Sequence, residues 1–245
     1  MIRLDDVRFS IGGREVLKGV GLHVARGDTK VVLGASGSGK SVLLKLILGL
    51  YRADRGAIAI AGTDITRMTE EELYRVRQKI AMVFQGGALF DSLTVRENVG
   101  YRLNEQRILS EEDIERRVYE SLSFVDLAET LDQMPGELSG GMRKRLAIAR
   151  AIAADPEVIL FDEPTAGLDP INAFNINRLI LRLRKKEGVT SVVVTHDLAS
   201  AFVVADRIAM LCDGKIIFDG TADELRRSQD GRVRLFLEPV TPIQT

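Results

Sequence analysis

The chain has no tryptophan, one cysteine, six prolines and only 5% aromatic residues among its 245 positions. A single cysteine, Cys212, excludes an internal disulfide and suits a reducing compartment. It reads as a small, half-buried hydrophobe rather than a reactive thiol. Charge of neither sign dominates: the formal net charge is −1, which gives no global case for nucleic-acid binding. No apolar run approaches the roughly 18 residues of a membrane-spanning helix. Met1-Ile2-Arg3-Leu4-Asp5-Asp6 carries no signal-peptide pattern. Together these absences predict a cytosolic chain, unless a partner holds it at a membrane. What is present is a 45% apolar content, enough for a full core in one large domain or one domain with a subdomain.

The densest stretch runs from Leu138 to Asp169. A Ser139-Gly140-Gly141 turn opens a helix, because Met142, Leu146, Ala149 and Ala153 recur at helical spacing. The helix stops at Asp155-Pro156, where proline removes a donor and cannot continue the ladder. Val158-Ile159-Leu160-Phe161 then reads as a strand buried on both faces, as in a parallel sheet. Asp162 and Glu163 follow. Two carboxylates at the end of a buried strand are costly unless a cation or proton chemistry uses them.

Upstream, Ile2, Leu4, Val7 and Phe9 predict one strand, and the alternation of Val20, Leu22 and Val24 a second. Lys30-Val31-Val32-Leu33 is a compact buried strand that runs directly into Gly34-Ala35-Ser36-Gly37-Ser38-Gly39-Lys40-Ser41. Val42 to Leu50 reads as the helix that follows. This is G-x-x-x-x-G-K-S between a strand and a helix, the context the mechanism requires. Glycines let the backbone wrap a phosphate with its N–H groups inward, and the helix N-terminus adds positive potential. Lys40 would reach the β- and γ-phosphates of a nucleotide, and the Ser41 hydroxyl would bind Mg²⁺.

Ile58-Ala59-Ile60 is expected as an edge strand, Glu70 to Arg77 as a short polar helix, and Ile80 to Phe84 as a buried strand ending at Gln85 beside the phosphate loop. No strand is expected between Phe84 and Val158, which predicts a helical insertion in an α/β order. Ser110 followed by Glu111, Glu112 and Asp113 marks a helix start within it. The charge runs Glu115-Arg116-Arg117 and Arg143-Lys144-Arg145 are expected as solvated helix faces. Ile171 to Glu187 reads as an amphipathic helix closed by Gly188, and Ser191 to Val194 as a buried strand ending in Thr195-His196. Asp213-Gly214 signals a hairpin between Ile208–Leu211 and Lys215–Phe218, and Thr221 to Arg227 a short helix.

Four buried strands thus end in polar residues of different kinds: the glycine loop, Gln85, Asp162-Glu163 and His196. Open α/β sheets bind ligands at the C-terminal ends of their strands. A phosphate cradle, a metal ligand, a water-positioning group and a base are the parts for phosphoryl transfer to water. Asp162 suits the Mg²⁺ shell, Gln85 the Mg²⁺ or the attacking water, and His196 a bridge between γ-phosphate and water. Glu163 is the better candidate to accept the water's proton.

These residues resemble the nucleotide-binding subunit of ABC transporters over nearly the whole chain. The Walker A loop is Gly34 to Ser41 with Val42 adjoining, the Q-loop residue is Gln85, and the signature is Leu138-Ser139-Gly140-Gly141. Walker B ends at Asp162 with Glu163 beside it, the D-loop residue is Asp169 and the switch histidine is His196. The resemblance implies an α/β P-loop NTPase, a RecA-like mostly parallel sheet flanked by helices. It adds an N-terminal antiparallel β-subdomain and an inserted all-helical subdomain. The expected division is an ATP-binding core over 1–87 and 155–227, a helical subdomain over 88–154 and a tail over 228–245. It further implies ATP and Mg²⁺, and a second copy of the chain, with two ATPs sandwiched so that Ser139, Gly140, Gly141 and Asp169 serve the partner's nucleotide. A narrower resemblance rests on Phe84 to Ser92, Met142 after the signature glycines, and Arg232 to Leu237. It points to the ATPases of Mla- and Mce-type lipid transport systems. The partners implied are inner-membrane permease subunits and an Mce-domain lipid-binding protein, with the chain peripheral on the cytoplasmic face of a bacterial inner membrane.

The sequence departs from the general pattern in two places. Ile11 stands where an aromatic usually stacks on adenine, with Phe9 two residues earlier, and Met142 and Lys144 stand where glutamines are common. Alternatives are the ATPase of an amino-acid or metal-ion importer, or a soluble ABC ATPase of chromosome maintenance or translation. Against the soluble class, one short helix joins signature to Walker B, no sustained heptads occur, and no second Walker A exists.

Overall fold

The computed structural model describes residues 1–106 and 109–238. In chain order the strands are β1 (Ile2–Ile11), β2 (Arg14–Val24), β3 (Thr29–Leu33), β4 (Arg55–Ile60), β5 (Thr63–Asp64), β6 (Ile80–Val83), β7 (Val158–Asp162), β8 (Thr190–Thr195), β9 (Arg207–Cys212) and β10 (Lys215–Gly220). The helices are α1 (Lys40–Ile47), α2 (Glu70–Arg77), α3 (Val95–Gln106), α4 (Glu111–Phe124), α5 (Gly140–Ala153), α6 (Pro170–Glu187), α7 (Leu198–Val204), α8 (Ala222–Arg226) and α9 (Gly231–Leu237). The chain forms two compact units, one of Met1–Arg67 with Val194 onward, the other of Met68–Val193.

In the first unit β1 and β2 pair antiparallel, with Ile2 opposite Val24, Leu4 opposite Leu22 and Val7 opposite Val20. All six of these side chains are buried. This sheet has the order β2-β1-β4-β5. The Ile58–Ile60 strand is therefore not an edge: the two-residue β5 covers its outer side, and an element that short leaves no periodicity to read. A second sheet in this unit runs β10-β9-β3 and on to the end of β8. β3 is parallel to β9, with Lys30 opposite Arg207 and Leu33 opposite Met210. All five residues of β3 are buried, Lys30 included. Its ammonium is answered by the Asp219 carboxylate of β10 at 2.5 and 2.6 Å. Asp213 (φ 48°) and Gly214 (φ 77°) turn β9 into β10, the left-handed pair that a two-residue hairpin requires. α8 starts on a capping box, Thr221 with Glu224. Two helices lie beyond the expectations: α7, capped by Asp197, and α9, capped by Asp230. α9 orders the first part of the expected tail, with Val233 fully buried; residues 239–245 lie outside the described residues.

In the second unit β7 is buried throughout and runs parallel to β6, with Ile80 opposite Val158 and Val83 opposite Phe161. The order is β8-β7-β6. Within this unit β6 thus has β7 as its parallel partner. Parallel neighbours are set by crossover topology, and a four-residue strand does not encode its neighbour. Among the described residues, only helical elements and turns occur between β6 and β7, and α3, α4 and α5 pack on one another. α2 begins on the Thr69–Glu72 capping box and α4 on Ser110, whose hydroxyl accepts from the Asp113 N–H. α6 is capped at its start by Asp169 and closed by Gly188 at φ 62°.

Candidate functional site: a glycine loop and a buried carboxylate pair

The loop after β3 takes its shape from three glycines. Gly37 (φ 78°) and Gly39 (φ 104°) are left-handed, and a Cβ at Gly34 would meet the Leu211 carbonyl oxygen at 2.5 Å and Ser38 Oγ at 2.7 Å. Ala35, Ser36 and Gly37 are exposed. Gly39 caps α1 with no side-chain acceptor, so the first-turn N–H groups of α1 are not answered by a capping side chain. Lys40 is only 6% exposed. Its ammonium folds back on the loop, donating to the Gly34 carbonyl at 2.8 Å and the Ala35 carbonyl at 3.1 Å. Ser38 Oγ is buried without a hydrogen-bond partner among the described residues. A loop with amide-rich left-handed turns, a cation at its centre and an orphaned hydroxyl fits an oxygen-rich anion. Ser41 lies exposed in the first turn of α1, followed by half-buried Val42.

Beside this loop opens a cavity of about 810 Å³. Its walls are Ala35 to Ser38, Ile11 and Val16, the β9–β10 turn with Cys212, and Arg232, Leu235 and Phe236 of α9. Phe9 is not among them: it stacks on Tyr51 with ring centroids 5.1 Å apart. The apolar walls are aliphatic on the β1 side and come from Leu235 and Phe236 on the other. Burial, with Asp213 next to it, pushes the Cys212 thiol up, in keeping with the inert hydrophobe expected. His196 follows β8 in this unit and is exposed; Asp197 after it caps α7.

In the second unit Asp162 closes β7 and Glu163 follows, each 9% exposed. Glu163 holds φ at 47°, the left-handed region that costs a non-glycine residue about 1–2 kcal/mol. Its carbonyl accepts from the Ala166 N–H at 3.1 Å. Gln85 is exposed just past β6. Ser139 caps α5, its hydroxyl oxygen accepting from the Met142 N–H at 3.3 Å, and Ser139 and Gly140 are exposed. Gly141 is buried, and a Cβ there would meet Asn172 Oδ1 at 2.5 Å. Asn172 donates from Nδ2 to Asp169 Oδ2 at 2.5 Å. Asp169 Oδ1 in turn accepts the N–H groups of Ile171 and Asn172 at 3.0 Å. Hydrogen bonds from the Asn172 backbone and side chain hold the Asp169 carboxyl below its ordinary range. One asparagine thus joins the signature turn to the D-loop residue.

The run Arg143-Lys144-Arg145 is not a solvated face. Arg143 is exposed, but Lys144 is 9% exposed and donates to the carbonyls of Gln85 and, at 3.5 Å, Glu163. Arg145 donates to the Val125 and Asp126 carbonyls at 2.9 and 3.2 Å. α5 is buried on most of its circumference, because α3, α4 and α6 surround it, and periodicity marked only one side. By contrast, Arg116 and Glu115 are surface residues, paired with Asp113 and Arg96. Burial lowers the Lys144 ammonium, and Asp162 and Glu163 oppose that shift. Lys144 and Asn172 are the residues at this site that the motifs do not mark. The only sequence signal for Lys144 is a cation where glutamine is common.

Residues 17–166 match the family described as ABC transporter. The chain belongs to that family. It is 41% identical over 238 residues to the intermembrane phospholipid transport system ATP-binding protein MlaF of Haemophilus influenzae, covering 97% of this chain and 90% of that one. It is 39% identical over 236 residues to the probable ribonucleotide transport ATP-binding protein mkl of Mycobacterium tuberculosis, covering 96% of this chain and 66% of that protein. The dimeric structure of the ABC transporter cassette MJ0796 superposes with a TM-score of 0.82 at 35% identity, over 90% of this chain and 98% of that one. That cassette has also been solved as a dimer in a post-hydrolysis state with ADP and phosphate. The chain is an ATP-binding cassette with the P-loop NTPase fold, combining a mixed sheet flanked by helices with an antiparallel sheet.

Proposed function

We propose that this cassette is the ATP-hydrolysing subunit of a membrane transporter that moves phospholipid between inner and outer membranes. The observation that carries the ATPase reading is the glycine loop after β3, with Lys40 folded onto its carbonyls beside a cavity of about 810 Å³. The loop N–H groups and Lys40 bind the phosphates of ATP. The adenine enters the cavity between Ile11, which stands in for the usual aromatic, and the α9 residues Leu235 and Phe236. Ser41, Gln85 and Asp162 offer hydroxyl, amide and carboxylate oxygens, a donor set that suits Mg²⁺. When bound, the ion neutralises charge on the β- and γ-phosphates. Glu163 accepts a proton from the attacking water, and His196 orients that water against the γ-phosphate. The water oxygen bonds to the γ-phosphorus as the bond to the β-phosphate oxygen breaks, leaving ADP and phosphate.

Ser139, Gly140 and Gly141, with Asp169, serve the ATP of a second copy, and the helix N-terminus they form adds positive potential. Mixing a Ser139→Ala chain with a Lys40→Ala chain should restore one competent composite site per dimer. Complete absence of rescue overturns the sandwich.

No helix among the described residues is long and apolar enough to cross a membrane, so the cassette reaches the inner membrane through permease subunits, with an Mce-domain lipid-binding protein beyond them. The MlaF-named relatives favour phospholipid as cargo. The mkl-named relatives favour a second reading, ribonucleotide. Purifying the intact complex from membranes and identifying the bound subunits and lipid decides between them. Recovery of an Mce-domain protein with phospholipid supports the first reading. Recovery of a periplasmic solute-binding protein for amino acids, or of ribonucleotide without lipid, overturns it.

A further inference from the structure

We propose that Lys144 is a positioning residue for hydrolysis, tying the peptides of Gln85 and Glu163 to the helix that begins at the signature turn. This rests on the reading of Glu163 as the base. The Lys144 ammonium is buried and donates to two carbonyls far apart in sequence, those of Gln85 and Glu163. Neither carbonyl belongs to its own helix. Glu163 is the residue whose backbone is left-handed, and its carbonyl, already answered by the Ala166 N–H, gains Lys144 as a second donor. The carboxylates of Asp162 and Glu163 lie close enough to act on the ammonium. A buried lysine is costly unless its charge is met, and an apolar side chain of that length would fill the same space at lower cost.

A second cation on the same helix extends the clamp. Arg150 donates to the Ala88 carbonyl at 2.7 Å and the Gly87 carbonyl at 2.8 Å. Gly87 itself packs on α5, where an added Cβ would lie 3.7 Å from Ala147 Cβ. Helix α5 therefore holds the segment from Gln85 to Ala88 by two side chains while carrying Ser139 at its N-terminus. Lys144 alone also reaches the base. A displacement of the signature turn is transmitted through one rigid helix to the Gln85 peptide and to the backbone of Glu163. Lys144 acts through the Glu163 and Gln85 carbonyls that it holds.

The test uses the full chain and Mg-ATP, with steady-state turnover, equilibrium ATP binding and thermal melting. Lys144→Met should lower kcat at least tenfold while KM and the ATP Kd stay within twofold and the melting temperature is held or raised. Lys144→Arg should return kcat to within threefold of the parent, because the guanidinium still donates to both carbonyls. In a Glu163→Gln background, Lys144→Met should cause no further loss, since the two substitutions then act on one step. Parental kcat in Lys144→Met, or no recovery in Lys144→Arg, overturns the proposal. So does a full multiplicative loss in the double variant. If Lys144→Met does not fold, Lys144→Gln takes its place with the same expected split between kcat and KM. Normal turnover in Glu163→Gln alone instead overturns the assignment of the base, so the two failures are separable.

Discussion

Two buried strands lead into the candidate site residues, and they end differently. β3 and β7 are each five residues long and fully buried. The first opens into a loop whose working atoms are backbone amides, whose residues Ala35 to Gly37 are exposed, and whose shape is set by glycine. The second closes on two buried carboxylates, Asp162 and Glu163; the Glu163 backbone is left-handed and its carbonyl accepts from Lys144 of α5. Phosphate recognition needs many amides at modest precision, and under the proposed function glycine and an open rim supply them. Proton transfer needs one side chain at hydrogen-bond distance from a water, and under the proposed function a buried Glu163 with a brace meets that need.

The comparison is tested most severely at Glu163. Glu163→Gln should retain ATP binding and lower kcat by about 100-fold or more, the range removed with a general base. Normal turnover measured by phosphate release would place the base elsewhere. Next in size is Gly34→Ala, whose Cβ would meet the backbone of Leu211 at 2.5 Å. It should destabilise by about 1–3 kcal/mol and weaken ATP binding, as read by melting with and without Mg-ATP. An unaltered melting temperature would mean that the loop tolerates a wider approach. A smaller effect belongs to the cavity wall: Leu235→Asp, on a residue 76% exposed in the described chain, should leave stability within about 0.5 kcal/mol. It should weaken ATP binding severalfold more than it weakens binding of inorganic triphosphate. Equal losses for both ligands would remove α9 from the base pocket.

The smallest effect concerns pH. Hydrogen bonds from the Arg232 side chain and backbone lower the Asp230 carboxyl from 3.8 to about 2. A group depressed in the folded state contributes stability above its unfolded value and loses it as pH falls through the folded one. The contribution that caps α9 should therefore be present above pH 3.8 and fade toward about 2. Hydrogen exchange over 231–237 should accelerate in that window, and Asp230→Asn should remove the pH dependence. Exchange that is flat across the window would show that the cap does not hold the helix.

Much of the fold was legible because local chemistry wrote it. The Ser110 start with its acidic first turn, the Asp213-Gly214 turn and the apolar runs of β3, β7 and β8 each place an element within a residue or two. The glycine loop and the carboxylate pair were equally plain, since each is a contiguous motif. β5 was not, because two residues carry no period. Nor was the α9 wall of the cavity, because Arg232 to Phe236 meets Ile11 only after the chain has passed through both sheets. The charge run at 143–145 misled for a related reason: a lysine is solvated by default, and the carbonyls of Gln85 and Glu163, with the carboxylates of Asp162 and Glu163 nearby, make its burial tolerable.

The sequence by itself determined the parts: which residues form the glycine loop, which pair of carboxylates ends β7, and which turn opens α5. These follow from neighbours along the chain, where glycine torsions, capping and periodicity act. The tertiary structure decided how the parts are held. It placed β6 against β7, gave the cavity a wall from α9, joined Gly141 to Asp169 through Asn172, and set the Lys144 ammonium on two carbonyls from distant loops. Those choices depend on packing and on meeting buried charge, which act between segments remote in sequence.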